Sequence, residues 1–446
     1  MNLNPRPVST ASKSVVVQSD PLADNLQPRT KTLSAQDGLW RLKNSVLIRN
    51  ILLGWFFSSP RLVRLGIRLL DRTAHSKSEL LNPDRNVLLR GILKPLLYSQ
   101  FCAGVTKQEI AETRNLLLSV GYAGIILAYG KEFKSSDAHS SNANGEDAEL
   151  KHWKDSNLET LDMIGSEDFL AVKFTGAGQK VTKAMMNNES PPADFRQAMD
   201  DICQKANSRG CSVWVDAEYQ EIQSSIDEWA IGFMSRHNHE RALVYNTIQA
   251  YLKSSRVTVQ HHLERASKGG WHLGIKLVRG AYIGSDPREL IYDTKRETDT
   301  SYNSIARDLL SSSALAFKLP QGSFPRLNLF LAGHNPESIS TAWELAGKLE
   351  QAGILKTAPG FGQLHGMGDH ISCALLQRAQ TLAKKQENTD VRVSVPKIYK
   401  YSVWGTVQEC MMYLGRRARE NSDGTDRIKD GISVYSNELR RRLLRR

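Results

Sequence analysis

The sequence has few cysteines, and none of them stands in a pattern that pairs cysteines or binds a metal. Five cysteines are spread over 446 residues, and no CxxC or CxxH spacing occurs among them. Disulfide frameworks need paired cysteines, and structural zinc sites need closely spaced ligands. The sequence therefore disfavours both, and it predicts a protein of a reducing compartment without a bound metal.

Long apolar runs and the common nucleotide-binding motifs are also missing. No uninterrupted apolar run reaches the roughly 18 to 20 residues that a membrane-spanning helix needs. There is no GxGxxG after a strand-like run, no GxxxxGK[ST] and no GxSxG. These absences disfavour a spanning helix, a Rossmann domain, a P-loop and an α/β-hydrolase.

Negative charge is the scarcer sign, which leaves a formal net charge of +12 at pH 7. Such an excess allows a nucleic-acid partner, a membrane surface or a basic organelle protein. The first nineteen residues contain Arg6 and Lys13, are rich in hydroxyl side chains and have no acid before Asp20. This composition resembles a mitochondrial transit peptide, and the alternative is an ordinary disordered terminus. We predict that residues 1–37 are such a segment.

Residues 38–120 and 426–446 have a helical or basic character that differs from the middle of the chain. The first of these segments repeats apolar residues at three- and four-residue spacing and interleaves arginines with tryptophan and phenylalanine. It predicts a helical arm, either a basic amphipathic surface for anionic lipid or a helical layer packed on the next domain. The second segment ends in RRRLLRR and predicts a basic tail, either a membrane-surface tether or a disordered end.

Between these segments, residues 121–425 alternate short β-branched runs with longer polar helical stretches. The eight runs begin at Ala123, Leu170, Cys211, Ala242, His272, Arg326, Ala358 and Val391. Eight strands that alternate with helices predict an α/β fold, a distorted (βα)8 barrel. The polar stretch from Lys131 to Ser156 is predicted to be an exposed loop.

Polar side chains collect at the carboxyl ends of the predicted strands, where barrel enzymes keep their chemistry. They are Lys173, Asp216, Glu218, Gln249, Lys276, Arg279, Tyr282, His334, Asn335, Gln363, His365 and Tyr401. Each of them alone is more often structural, but their convergence on one barrel mouth predicts a polar pocket.

A helix near the end of the barrel carries two adjacent arginines. Tyr413, Arg416, Arg417 and Glu420 stand at i, i+3, i+4 and i+7, so they lie along one helix face. Two guanidinium forks side by side match a carboxylate, which predicts a clamp for a small amino acid. The alternative is a solvated helix end. Tyr401 follows the strand-like run VRVSV and a proline, at the predicted junction of strand and helix.

The fifth run, KLVRGAY, brings two cations next to small residues. Gly280 and Ala281 let a flat ligand approach the backbone, while Lys276 and Arg279 suit the pyrophosphate or the electron-rich ring of a nucleotide cofactor.

Five motifs in this order resemble the proline dehydrogenase family, in its monofunctional mitochondrial, fungal-like form. They are AVKFTGAG, WVDAEYQ, YNTIQAYLK followed by KLVRGAY, the pair HN and LHGMGD, and YLGRRARENSD. The resemblance covers Ala123 to Asn421, and the arm matches more loosely. It implies a barrel that binds FAD, oxidises L-proline to 1-pyrroline-5-carboxylate and passes electrons to ubiquinone. It also implies a peripheral protein on the matrix side of the mitochondrial inner membrane, without a nucleic-acid partner.

The resemblance assigns roles to residues of the predicted pocket. Arg416 and Arg417 would hold the proline carboxylate with support from Lys173 and Glu420. The ring would be enclosed by Tyr282, Leu364, Tyr401 and Tyr413, with Asp216 as a second carboxylate. The implied FAD-binding residues are Gln249, Lys276, Val278, Arg279, Gly280, Ala281, His334 and Gln363.

Two departures from bacterial members leave one assignment open. Many of them have RLVKG where this chain has KLVRG, and a threonine at the position of Gly333, so either Lys276 or Arg279 would meet the flavin. A hydroxyproline dehydrogenase is a related alternative, which tends to carry a smaller residue at Tyr401. A non-catalytic basic protein that binds membranes or nucleic acid is an alternative of another class.

Overall fold

The computed structural model describes residues 37–74, 76, 78–130, 143–386, 394–422 and 425–444, with the backbone alone at 143–146, 420–422 and 425–430. The predicted transit segment therefore lies outside the described residues apart from Asp37. The side chain of Glu420 lies outside them as well.

The described strands form one parallel sheet that closes on itself. They are β1 Cys102–Gly104, β2 Gly124–Tyr129, β3 Phe169–Val172, β4 Ser212–Val215, β5 Val244–Gln249, β6 Leu273–Val278, β7 Leu327–Ala332, β8 Gly360–Leu364 and β9 Lys397–Trp404. Strands β2 to β9 pair in chain order, and β9 also pairs with β2, which closes an eight-stranded barrel. The short strand β1 pairs with β9 as an addition to the barrel. The predicted (βα)8 fold is confirmed.

Helices surround the barrel and extend it at both ends of the chain. They are α1 Asn44–Phe57, α2 Pro60–Ala74, α3 Val87–Leu93, α4 Lys107–Val120, α5 Ala143–Met163, α6 Gln179–Met186, α7 Ala193–Ser208, α8 Gln220–His237, α9 Ser255–Gly269, α10 Lys295–Leu310, α11 Pro336–Gln351, α12 Asp369–Gln386, α13 Met411–Ser422 and α14 Thr425–Leu444. None of those in the described part of the chain is both long and apolar enough to cross a bilayer.

The last barrel strand lies further along the chain than the sequence pattern predicted. Strand β9 starts at Lys397, Ser394–Pro396 have no regular structure, and residues 391–393 lie outside the described part. The proline precedes the strand because proline lacks the N–H that a ladder needs, so it is tolerated at a strand start. Tyr401 therefore lies in the body of a strand and not at its junction with a helix.

Two polar segments that were not predicted as helices are helical. Helix α5 occupies the second half of the predicted loop, and three apolar residues, Leu150, Trp153 and Leu161, bury one face of it. Helix α14 occupies the predicted tail and packs against α1. The Arg442 guanidinium donates to the carbonyl oxygens of Leu39 and Leu42, both at 2.8 Å. The tail is therefore not a disordered end, although the division into arm, barrel and tail domains remains a prediction.

Aromatic rings fill the inside of the barrel below its mouth. The centroid of Trp214 lies 4.5 Å from that of Phe330 and 4.8 Å from that of Phe169, and Tyr399 packs beside them. Trp214 and Phe330 also form the floor of the cavity described below. The packed rings thus confine any ligand to the carboxyl ends of the strands.

Glycine at position 362 is required by the position of the Phe330 ring. A Cβ atom at Gly362 would lie 2.6 Å from Phe330 Cε1. We expect Gly362→Ala to force the ring to move and to lower the free energy of unfolding by about 1–3 kcal/mol. Gly347→Ala is the control, because nothing lies within 4 Å of a Cβ there and alanine in a helix stabilises by about 0.5–1 kcal/mol. Chemical denaturation measures both, and equal effects of the two variants would contradict the packing argument.

Candidate active site

A cavity of about 900 Å³ opens at the carboxyl ends of the barrel strands. Its wall includes these residues predicted from the sequence: Lys173, Asp216, Gln249, Lys276, Val278, Arg279, Gly280, Ala281, Tyr282, His334, Leu364, Tyr401, Tyr413, Arg416 and Arg417. They come from seven strands and from helix α13, far apart in the sequence. Their convergence follows from the barrel, because parallel strands all present their carboxyl ends on one side.

Helix α13 turns its arginine-bearing face into the cavity. Tyr413 and Arg417 are buried and Arg416 is half-buried. The Arg417 guanidinium carbon lies 5.2 Å from the centroid of the Tyr413 ring, which orients the cation. This burial excludes the alternative of a solvated helix end. On the outer side, Arg419 pairs with Asp71 of α2 at 2.7 Å and joins the helix to the arm.

Lys173 brings a third cation to the same region from the end of β3. Lys173 and Arg416 line both the main cavity and an adjoining chamber of about 40 Å³. The lysine backbone is held in place because Trp153 Nε1 donates to its carbonyl oxygen at 2.9 Å. Three cations around one volume create a positive potential that favours a small anion such as a carboxylate.

The Asp216 carboxylate joins three strands inside the cavity. Its Oδ1 lies 2.5 Å from Lys276 Nζ, and its Oδ2 accepts a hydrogen bond from the Tyr401 hydroxyl at 3.0 Å. Burial and the neighbouring Asp216 charge raise the pKa of Tyr401 well above its ordinary value, so the phenol stays protonated and donates. Lys276 Nζ also lies 4.6 Å from the centroid of the Trp214 ring. Lys276 is thus fixed inside the barrel, beneath the cavity.

Arg279, three residues further on, lies at the rim and is held by the helices outside. It forms an ion pair with Asp299 of α10 and donates to Ser338 Oγ of α11 at 3.2 Å. The Asn335 side chain caps α11 by accepting from Ser338 N, and Pro336 in the first turn lines the cavity. A helix N-terminus beside an arginine is a favourable place for a phosphate group. The two cations therefore lie in different places: Lys276 deep inside, Arg279 at the rim.

Backbone and amide groups form a narrow cradle beside Lys276. Gly280 has φ +141, and a Cβ atom there would lie 2.4 Å from the Tyr251 ring, so this position requires glycine. Gln249 Oε1 accepts from Ala281 N at 3.2 Å and holds the bend. Across the cavity, His334 Nε2 accepts from Leu364 N at 3.1 Å, which places the proton of the neutral ring on Nδ1. A Cβ atom at Gly333 would meet nothing closer than 3.9 Å, so the missing threonine leaves room in the wall.

Gln363 does not line the cavity. Its Nε2 donates to the Gly333 carbonyl at 3.3 Å, and its Oε1 accepts from Ser372 Oγ of α12 at 2.8 Å. Successive residues of a strand point to opposite faces, and Gly362 and Leu364 point inward, so Gln363 points to the helices. The prediction that Gln363 meets the flavin directly is therefore not supported by its position, and its role here is to hold the backbone at Gly333.

Sequence reasoning missed the residues that cover the mouth of the barrel. Asn50, Leu53, Gly54 and Phe57 of α1 and residues 431–435 of α14 line the same cavity. The sequence carried one signal for this: α1 is apolar nearly all round, which indicates a helix with more than one buried or covered face. Which surface it would cover depends on tertiary packing alone.

The loop after β8 is fixed to the arm by a buried polar network. Lys400 pairs with Asp369 at 2.8 Å, and Asn50 Nδ2 donates to the same carboxylate at 3.2 Å. Gln100 Nε2 donates to Asn50 Oδ1 at 2.7 Å and to the Gly366 carbonyl at 3.0 Å. A Cβ atom at Gly366 would lie 2.0 Å from the Gln100 carbonyl oxygen, so the HGMG sequence is needed for this contact. Arm and barrel are thus locked together at the cavity edge.

His365 in this loop makes the fold sensitive to acid. Burial and then the Lys400 charge lower the pKa of His365 to about 4, and its Nδ1 bonds the Ser402 hydroxyl. In the unfolded chain its pKa is about 6.5. Below pH 6.5 the unfolded state binds the proton first, so the free energy of unfolding falls by up to about 3 kcal/mol between pH 6.5 and about 4.

We expect His365→Asn to remove most of this pH dependence, because asparagine keeps a hydrogen-bonding group and does not titrate. The measurement is the denaturant midpoint at pH 7 and pH 5. His239→Asn is the control, since His239 is exposed and its replacement leaves the pH dependence intact. An unchanged pH dependence in His365→Asn would contradict the assignment.

In the described part of the chain, no three His, Cys, Asp or Glu side chains lie close enough together to hold a metal ion. The fold and the site define a (βα)8-barrel protein whose cavity is lined by cationic side chains and by a glycine-lined cradle. The chain belongs to the proline dehydrogenase family, whose model, described as "Proline dehydrogenase", matches residues 126–430.

Curated relatives agree with this membership, and a solved structure shares the fold. The chain is 35% identical over 260 residues to the probable mitochondrial proline dehydrogenase of Schizosaccharomyces pombe, with 56% of this chain and 50% of that protein covered. It is 27% identical over 403 residues to the hydroxyproline dehydrogenase of Rattus norvegicus, with 80% and 83% covered. Proline utilization A from Bdellovibrio bacteriovorus superposes with a TM-score of 0.63 at 17% identity, over 85% of this chain and 38% of that one, which shows a shared fold. The chain thus spans about half the length of the fission yeast relative.

Proposed function

We propose that this chain oxidises L-proline to 1-pyrroline-5-carboxylate with FAD as cofactor and ubiquinone as electron acceptor. The observation that carries the proposal is the common wall formed by Lys173, Arg416 and Arg417, since three cations in a small cavity suit an amino-acid carboxylate. Family membership supplies the class of reaction.

The residues of the cavity divide between the two ends of proline. The guanidinium forks of Arg416 and Arg417 would hold the carboxylate, with Lys173 alongside and Glu420 in support. Tyr282, Leu364, Tyr401 and Tyr413 would enclose the apolar ring. A charge-assisted hydrogen bond contributes about 1.5–3 kcal/mol net, so a few of them account for most of the affinity of so small a ligand.

The remaining part of the cavity fits a larger group such as FAD. Its volume is several times that of an amino acid, and the bend at Gly280 admits a flat ring close to the backbone. Gln249, Val278, Gly280 and Ala281 would hold the ring region, with Lys276 beneath it, and Arg279, His334 and the start of α11 would receive phosphate and ribose. Bound FAD supplies an acceptor for the hydride from the ring carbon beside nitrogen.

Asp216 is better suited to positioning than to proton abstraction. It already accepts from both Lys276 and Tyr401, so it acts as a fixed negative charge that orients the lysine and the phenol. Hydride transfer from proline needs a held substrate and no strong base, and orientation is what this wall provides.

The alternative substrate is 4-hydroxyproline, which the name of the rat relative suggests. That relative aligns over most of both chains, so its activity is a second candidate. Tyr401 supports proline in this proposal, because its hydroxyl donates to Asp216, which holds the ring in place, and a ring in that place would crowd the 4-hydroxyl group of a substrate bound by the clamp.

We expect Arg416→Met or Arg417→Met to lower kcat/KM for proline by about a hundred- to a thousandfold, which is the loss of roughly 3–4 kcal/mol for a broken charge pair. Most of the change should appear in KM, because the carboxylate is bound alike in the ground and transition states. The measurement is steady-state kinetics with a soluble dye, together with the flavin spectrum of the purified protein.

Arg419→Met is the matched control on the same helix, since its exposed ion pair with Asp71 contributes little. The parent protein should be yellow and lose its flavin absorbance when proline is added without oxygen. A colourless protein that FAD cannot reconstitute overturns the whole proposal. Normal proline kinetics in both clamp variants overturns the clamp.

We also propose that the arm rests on an anionic membrane surface, on the matrix side of the mitochondrial inner membrane. One side of the arm packs inward through Leu47, Phe57 and Val63. The other side exposes large apolar residues, among them Trp55 and Leu65 at 64% and Leu88 at 81%. The arginines of α2 alternate with the exposed leucines of the same helix, a composition that suits anionic lipid. The fission yeast relative carries the word mitochondrial in its name.

We expect the protein to sediment with liposomes that contain anionic lipid and to be released as salt rises to about 0.5 M, where the Debye length is only a few ångströms. The double variant Trp55→Glu and Leu65→Glu should stay in the supernatant while its proline kinetics with a soluble dye are unchanged. Leu315→Glu is the control, because that leucine is as exposed but lies on the barrel. Equal binding of all proteins to neutral liposomes would contradict a role for charge.

A further inference from the structure

The cavity extends beyond the barrel into a space that we call the annex. Its walls are Leu53, Gly54 and Phe57 of α1, Met367 of the loop after β8, and Ile432 and Val434 of α14. The annex is continuous with the region of the cavity around His334, because His334 and the annex residues line the same cavity. A ligand in the annex would therefore lie next to the groups bound in the barrel.

Most of the annex wall is built from segments outside the matched family region. The family model covers residues 126–430, whereas Leu53, Gly54, Phe57, Ile432 and Val434 lie before or after it. The annex is thus an addition of the arm and of α14 to the barrel. Its lining is mainly apolar, which suits an apolar ligand.

A few polar groups lie along the edge of the annex and could orient a ligand with hydrogen-bonding atoms. Asn50 is held by Gln100 and Asp369, and His370 Nδ1 lies 3.4 Å from the Tyr435 hydroxyl. Apolar walls with a small number of fixed polar groups are typical of small-molecule sites, and the donors among these groups suit a ligand that carries carbonyl oxygens.

Helix α1 separates the annex from the outer apolar surface of the arm. Leu53 and Gly54 line the annex, while their neighbours Leu52 and Trp55 are 55% and 64% exposed on the other side. Successive helical residues are about 100° apart, so one helix presents both faces. The annex therefore lies one helix away from the surface that we propose to contact lipid.

We propose that the annex binds the head group of a lipid-soluble quinone. The inference rests on the proposed function and identifies where its electron acceptor binds. Oxidation of proline to the cyclic imine releases two electrons and two protons, and reduction of a quinone to its hydroquinone takes up the same number, so no further reactant is needed. The annex receives the quinone from the lipid side, while proline occupies the cationic wall of the barrel.

The test is to fill the annex with Gly54→Leu, which adds a side chain at a wall position and is favourable for a helix. Gly91→Leu is the matched control, because it makes the same change in an arm helix where nothing lies within 4 Å of a Cβ. The first measurement is equilibrium binding of a short-chain quinone to the purified holoprotein, followed by quenching of tryptophan fluorescence. The others are anaerobic flavin reduction by proline, flavin reoxidation by the quinone, and FAD occupancy.

We expect Gly54→Leu to weaken quinone binding and slow reoxidation at least about tenfold, the effect of a misfit of a few carbon atoms in an apolar site. Flavin reduction by proline and FAD occupancy should equal those of the parent and of Gly91→Leu. Unchanged quinone binding in Gly54→Leu overturns the proposal, and so does a loss of FAD with normal quinone binding, which would assign the annex to the cofactor. If proline fails to reduce the flavin of the parent protein, it is the proposed function that fails.

Discussion

The Asp216 carboxylate is the contact on which the geometry of the mouth depends. It follows β4 and binds Lys276 on β6 and Tyr401 on β9, so three strands on different sides of the barrel meet at one group. Breaking a buried ion pair by removing one partner destabilises by about 3–5 kcal/mol, because the other charge is left buried. The lysine, the phenol and the floor of aromatic rings are therefore fixed together, and none of the three can move without the others.

The arm and the C-terminal helix complete this barrel by covering it. Helix α13 packs against α2 of the arm, and α14 is joined to the start of the arm through Arg442. The Lys400–Asp369 pair attaches α1 to the loop after β8 through Asn50. These contacts link segments separated by more than three hundred residues, so the shape of the cavity depends on both ends of the chain as well as on the barrel.

Much of the barrel could be predicted from the sequence because a parallel strand buried on both faces has a simple signature. Short apolar runs with polar carboxyl ends located seven strands directly, and barrel geometry then placed Lys173, Asp216 and Lys276 in one cavity. The last strand was predicted to begin several residues before its actual start, because VRVSV has a stronger β pattern than IYKYSVW. The inward tyrosines and the buried Lys400 of IYKYSVW are stabilised by tertiary contacts, which the pattern does not reveal.

The other differences between the sequence predictions and the structure each have a physical cause. Helix α5 has weak apolar periodicity in the sequence, and α14 ends in the basic run RRRLLRR, which hides its apolar positions. Both are helical because the folded protein gives them a surface to pack against. The Gln363 side chain points to the helices and not into the cavity because successive strand residues face opposite sides, which residue type alone does not reveal. The annex could not be predicted, because it exists only where α1 and α14 meet the loop after β8.

The positively charged side chains lie in several different environments in the structure. Their distribution bears on the alternative that the chain is a non-catalytic basic protein that binds membranes or nucleic acid. Arg416 and Arg417 face the cavity, and Arg441 and Arg442 pair with the buried Glu438 of their own helix, which keeps the pKa of that carboxyl below its ordinary value despite its burial. The exposed arginines of α2 lie among exposed leucines. A nucleic-acid surface is typically a patch or stripe of cations that follows a phosphate backbone. The distribution on α2 instead is that of an amphipathic helix that exposes basic and apolar residues together, and two arginines of the predicted tail, Arg441 and Arg442, already pair with Glu438.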